Sequence, residues 1–137
     1  MPGRSERARA TRWADLPPAA RAYRVFHAAW SVAGLAAFGH IWRCAITGHR
    51  DRVLWASVGF LLVEGAGLVV GRGDCPLGGV QERMGDPVPF FELVLPPRAA
   101  KAAVPALAGG TVAGMAIVGL RLVRDARRAA PATRARR

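Results

Sequence analysis

With 137 residues the chain has room for one domain, and it combines 52% hydrophobic residues with a net charge of +11, a pairing unlike that of a small soluble protein. Lys101 is the only lysine, and the arginines crowd into two Arg/Ala-rich tails rather than onto a folded face with interleaved aromatics, which argues against nucleic acid as a partner. The apolar residues fall in three blocks, Val25–Trp42, Val53–Val70 and Val104–Leu120. Each is close to the roughly 20 residues that cross a bilayer as a helix, and a domain this small cannot cover three helices that are apolar all round.

In chain order, residues 1–14 are polar, basic and expected to be disordered. Asp15 can cap a helix whose first turn holds Pro17 and Pro18, where backbone N–H groups lack partners. Tyr23 and Trp42 fall near the two ends of that helix, at the depth that amphipathic rings prefer. Its apolar block exceeds a typical signal-peptide core, ends at Arg43 and precedes no small-x-small cleavage pattern, so it reads as a retained span. Thr47–Asp51 (TGHRD) is a short turn, and the second helix therefore returns antiparallel beside the first.

Gly71–Pro97 contains Asp74, Glu82, Arg83, Asp86 and Glu92, too many charges for hydrocarbon. Within it, the stretch from Pro76 can form a short helical turn closed by Gly85, and Phe90, Phe91, Leu93 and Leu95 can dip into the membrane interface. Pro96 and Pro97 open the third helix, in which Pro105 is an expected kink. The fold class that follows is an all-α integral membrane protein with three transmembrane helices and a structured interfacial loop between helices two and three. Its expected spans are 25–45, 53–70 and 98–120 within a domain of residues 15–124, with a disordered basic tail over 125–137.

The Arg-rich composition points to a high-GC bacterium and so to the cytoplasmic (inner) membrane. Basic tails beside apolar spans attract anionic lipid headgroups by about 1 kcal/mol per side chain. Basic residues of the N-tail and second loop balance those of the first loop and C-tail; weighting those nearest the spans favours the C-terminus inside and the 71–97 loop outside.

Antiparallel geometry sorts the reactive residues by membrane side. His27, Glu64, Asp74, Cys75 and Glu82 can converge on the side of the 71–97 loop, and these five form the candidate buried site. Glu64 stands out because an ionisable group within a span costs at least about 2.5 kcal/mol and is usually turned inward with a partner. It is a proton or ligand site, or a buried hydrogen bond that orients two helices. Cys75 is open to metal, redox or lipid chemistry, or is simply a small residue at the start of a turn.

On the opposite side, His40, Cys44 and His49 have a spacing that a metal accepts. Loose spacing at a helix end more often marks ordinary interfacial residues, and no cofactor is expected. Gly67 with Gly71 and Gly110 with Gly114 form GxxxG faces suited to close helix packing.

The order His27 in FHAAW, Glu64 in LLVEGAGLVV, then CPLGGVQE from Cys75 resembles a family of small bacterial membrane proteins of unknown function built around a Cys-Pro-Leu-Thr motif. That resemblance spans residues 21–124 and implies an early helix with a His, a later helix with a Glu, and a closing apolar helix with a basic end. The motif's Thr is Gly78 here and its acid is Gln81, with Glu82 beside it. The leading functional reading is a non-enzymatic component of a membrane complex that packs against itself or larger partners through Gly-rich faces. The alternative is a ligand, metal or proton site made by His27, Glu64 and the Cys75 loop, serving transport or redox chemistry.

Overall fold

The computed structural model describes residues 12–72, 76–86, 88 and 90–134, and every regular element among them is helical. Four α-helices follow one another: α1, Pro18–Thr47; α2, Arg52–Val70; α3, Pro76–Arg83; and α4, Pro97–Arg134. Single 3₁₀ turns occupy Trp13–Asp15 and Phe90–Leu93.

Local chemistry sets the boundaries. Pro18 occupies the first turn of α1, and Asp15 lies in the preceding 3₁₀ turn instead of capping the helix. Arg21 reaches back to the Leu16 and Ala14 carbonyls, at 2.9 Å each, and pins the incoming strand of chain. At the other end Gly48 takes the left-handed conformation (φ 75°), its N–H bonded to the Cys44 carbonyl at 2.8 Å; this is a glycine C-cap. The Asp51 side chain then accepts the Leu54 N–H at 2.7 Å and caps α2. Gly85 (φ 92°) turns the chain out of α3.

Helix α1 is the axis of the molecule, packing along both α2 and α4, whereas α2 and α4 touch each other much less. The three meet at one end, where Ile41, Cys44, Ala45, Leu54 and Val118 form the core. Arg50 pairs with Asp125 at 2.5 Å, and Arg121 donates to the Ile46 carbonyl at 3.2 Å, so α4 is tied to the α1–α2 turn as well. Further along, α3 packs on α1 and α2, and the Phe90–Leu93 turn packs on α1 and α4.

Two helical stretches, Arg52–Val70 and Arg98–Ala129, are long and apolar enough to cross a membrane. In each, only 11% of the apolar window is buried within the protein. The core helix of a soluble domain would be mostly covered, whereas most of the apolar surface of these two helices is left uncovered within the protein. Val63, Val69, Val70, Val112 and Leu120 are among the side chains left exposed.

Several local features differ from the sequence expectations. Helix α4 runs to Arg134, beyond the expected end of the span at residue 120 and through the part of the 125–137 stretch, read as a disordered tail, that the structure describes. Trp42 lies against α4 beside Gly110 and Gly114. Residues 1–11 and 135–137 of the expected basic tails lie outside the described residues.

Gly110 and Gly114 let α1 and α4 approach. A Cβ at Gly110 would meet the Phe38 ring at 2.9 and 3.0 Å, and one at Gly114 would meet Ile41 Cγ2 at 3.0 Å. These glycines are therefore occupied within the chain. At Gly67 and Gly71, the Gly71 N–H bonds to the Gly67 carbonyl at 2.8 Å and closes α2.

Adjacent positions make this packing testable. Ala gains about 1 kcal/mol over Gly in a helix, but overpacking typically costs about 1–3 kcal/mol. Gly110→Ala should therefore lower stability by up to about 2 kcal/mol, while Gly109→Ala, with nothing within 4 Å of its Cβ, should not. Thermal unfolding of both variants in detergent checks this, and equal midpoints would remove the close approach at Gly110.

Candidate functional site

Helices α2 and α4 leave a cleft beside α1 with a volume of about 520 Å³. Its walls are overwhelmingly apolar, with Leu35, Phe38, Leu61, Leu107 and Met115 among them. Polar groups gather toward one end: His27, Trp30 and Ser31 from α1, and Glu64 from α2. Leu77 of α3 and Phe91 also line it, so the 76–93 segment forms part of the wall.

Each polar side chain is positioned by a neighbour. The Trp30 indole N–H donates to Glu64 Oε1, linking α1 to α2, and the Trp30 ring packs on Phe60 with centroids 4.7 Å apart. Ser31 Oγ turns back to the His27 carbonyl at 2.8 Å. His27 is buried, with Nδ1 2.8 Å from Gln81 Oε1. The Gln81 amide nitrogen donates to Asp86 Oδ2 at 2.9 Å and to the Val88 carbonyl at 2.8 Å. With the amide so oriented its oxygen can only accept, and His27 therefore donates from Nδ1.

Behind this pair lies a buried ion pair. Arg24 Nε and Nη2 reach the two Asp86 carboxylate oxygens at 2.7 and 2.6 Å, a bidentate arrangement. The Arg24 side chain is 10% exposed and that of Asp86 not at all. Tyr23 adds a hydrogen bond from its hydroxyl to the Leu77 carbonyl at 3.0 Å. Two successive turns of α1, carrying Tyr23, Arg24 and His27, thus hold the loop segment by side-chain contacts.

Of the five residues grouped by sequence, His27 and Glu64 share the cleft. Glu82 is exposed on α3, because the helical turn that buries Gln81 carries its neighbour to the outer face. Asp74 and Cys75 lie outside the described residues. Among the described residues, the hydrogen bond shown for Glu64 is the one from Trp30. Sequence reasoning missed Arg24, Gln81 and Asp86 as a unit. An arginine one turn inside an apolar helix and an acid beside a Gly turn were its only signals, since their pairing spans 62 residues.

The other end of α1 holds a second cluster. His40 Nε2 lies 3.0 Å from Asp51 Oδ1 and 3.5 Å from Cys44 Sγ, and His49 Nε2 lies 3.3 Å from Asp51 Oδ2. The hydrogen bond from His40, followed by that from the Leu54 N–H, holds the Asp51 carboxyl below the usual carboxylate range. His40, Cys44 and His49 were grouped by sequence; Asp51, here the centre of the group, was read only as the end of a turn.

Comparison of the chain with protein-family models, curated proteins and solved structures finds no match.

Proposed function

We propose that the chain is a three-span protein of a bacterial cytoplasmic membrane that holds an amphipathic small molecule, drawn from the bilayer, in the cleft beside α1. The observation that carries this reading is the 520 Å³ cavity with apolar walls and a polar group at one end. Small-molecule sites occupy roughly 300–1,000 Å³ and combine apolar lining with a few placed polar groups. A ligand with a hydrogen-bonding head near His27 and Glu64 and an apolar body along Leu107 and Met115 satisfies both parts of the cavity.

The third span is α1. Its 30 residues reach about 45 Å, and its exposed Val25, Val32 and Leu35 extend the apolar belt of α2 and α4. The resemblance to the Cys-Pro-Leu-Thr family suits this arrangement, since Gln81 stands where that motif carries its acid and is the residue bonded to His27. The Gly110/Gly114 face, expected to recruit partners, is covered by α1, which favours a ligand site over assembly through that face.

The test is occupancy. Native mass spectrometry and organic extraction of protein purified in detergent from bacterial membranes should find a retained amphipathic molecule. Ala108→Phe, which adds a ring to the cavity wall, should lose it while keeping helicity. An identical lipid complement in both proteins would sink the reading.

A further inference from the structure

We propose that His40, Cys44 and Asp51 bind a divalent cation of the zinc class at the α1–α2 turn, and that His49, 3.3 Å from Asp51 Oδ2 but outside the 4.8 Å group of the other three, swings in as the fourth ligand. This cluster is separate from the cleft, since His27 and His40 lie about 20 Å apart along α1. It draws on a different surface and does not depend on what the cleft holds.

The chain builds the cluster from local geometry. His40 and Cys44 lie four residues apart on α1, and so on one face. The left-handed Gly48 cap reverses the chain directly after them. Asp51 then faces the histidine as the N-cap of α2. One ligand atom from each of His40, Cys44 and Asp51 falls within a 4.8 Å group.

The distances match tetrahedral coordination. Zinc bonds of about 2.0–2.1 Å to nitrogen or oxygen and about 2.3 Å to sulfur place neighbouring ligands about 3.3 Å (N to O) and 3.5 Å (N to S) apart. The corresponding separations from His40 Nε2 are 3.0 and 3.5 Å. His40 Nε2 thus faces both an anionic oxygen and a thiol sulfur, and a single ring proton cannot serve both well. A cation placed among the three atoms engages all of them.

Burial gives the site an inside and an outside. Cys44 is 1% exposed, the His40 side chain 15%, Asp51 29% and His49 52%. An ion entering from water therefore meets His49 and Asp51 first and the thiol last. Of the neighbouring cations, Arg50 is engaged with Asp125 and Arg121 with the Ile46 carbonyl, while Arg43 and Arg52 adjoin Cys44 and Asp51 in the chain. Asp51 supplies a carboxylate, which is ordinarily ionised at neutral pH. His40 would bind through Nε2 with its ring proton on Nδ1, and the Cys44 thiol would release its proton to solvent, one proton per ion. The mixed sulfur, nitrogen and oxygen set suits zinc or cobalt better than calcium or magnesium, which favour oxygen alone.

Cobalt(II) is the probe. Full-length protein without a His tag, purified in detergent and stripped with chelator, should develop a thiolate-to-cobalt charge-transfer band and intense visible bands at one equivalent of Co²⁺. One equivalent of Zn²⁺ should bleach them. Cys44→Ser should abolish the charge-transfer band, Cys75→Ser should leave it intact, and His49→Ala should weaken cobalt binding. Should Cys44→Ser lose helicity, alkylation of Cys44 in a Cys75→Ser background replaces it, with Zn²⁺ expected to slow the reaction at least tenfold. No charge-transfer band, a band that follows Cys75, or alkylation indifferent to Zn²⁺ would show the cluster to be a hydrogen-bonded clamp of the turn and overturn the proposal.

Discussion

Asp86→Ala is expected to destabilise the protein by about 3–5 kcal/mol, the range for removing one partner of a buried ion pair. The cost arises because Arg24 would remain charged with a side chain only 10% exposed. Gln81 would also lose an acceptor for its amide nitrogen, and an unsatisfied buried donor adds about 1–3 kcal/mol by itself. Since Gln81 holds His27, the effect should reach the cleft as well. Arg24→Met combined with Asp86→Leu should recover most of the loss, because two apolar side chains leave no unpaired charge behind. Denaturant or thermal unfolding in detergent measures both variants. A loss below about 1 kcal/mol for Asp86→Ala would mean that the pair is solvent-screened and the loop is not held by it.

Ile41→Ala is expected to cost about 2–3 kcal/mol, the lower part of the range for emptying a packed aliphatic site. Ile41 is fully buried among Leu54, Cys44 and Val118, and its Cγ2 lies 3.0 Å from where a Cβ on Gly114 would fall. On the membrane reading proposed above, the lower part applies, because helices separated in lipid lose packing without exposing apolar surface to water. The control is Val63→Ala, at a position 66% exposed, which should be nearly neutral. Gly114→Ala should be harmful in the native background and tolerated, or even favourable, beside Ile41→Ala, since the second change vacates the space that the first needs. Such a double-mutant cycle isolates the α1–α4 contact. Additive effects would place Ile41 and Gly114 in separate environments.

The link between the ion pair and the cleft gives the loop a mechanical role. Tyr23, Arg24 and His27 recur on one face of α1 and engage the Leu77 carbonyl, Asp86 and Gln81. A ligand that contacts His27, Leu77 or Phe91 therefore meets side chains whose positions are set by that loop. The α1–α2 turn is braced independently by Asp51 and by the pairing of Arg50 with Asp125.

The sequence by itself determined the helical class, two of the membrane-length helices and the short reversal at Gly48. These rest on information carried locally: runs of apolar residues, proline at helix starts and glycine at a turn. The same local information separated His27 and Glu64 from His40, Cys44 and His49, since position along an antiparallel helix sets depth. Tertiary structure alone decided which polar residues meet. Arg24 finds Asp86 across 62 intervening steps of chain, Trp30 finds Glu64 across 34, and His27 finds Gln81 across 54. No short-range pattern encodes such pairings, because they depend on the rotation of each helix about its axis. That rotation is set where Phe38, Ile41 and Trp42 settle over Gly110 and Gly114, and a GxxxG pattern alone does not say whether its groove is filled from within the chain or by another.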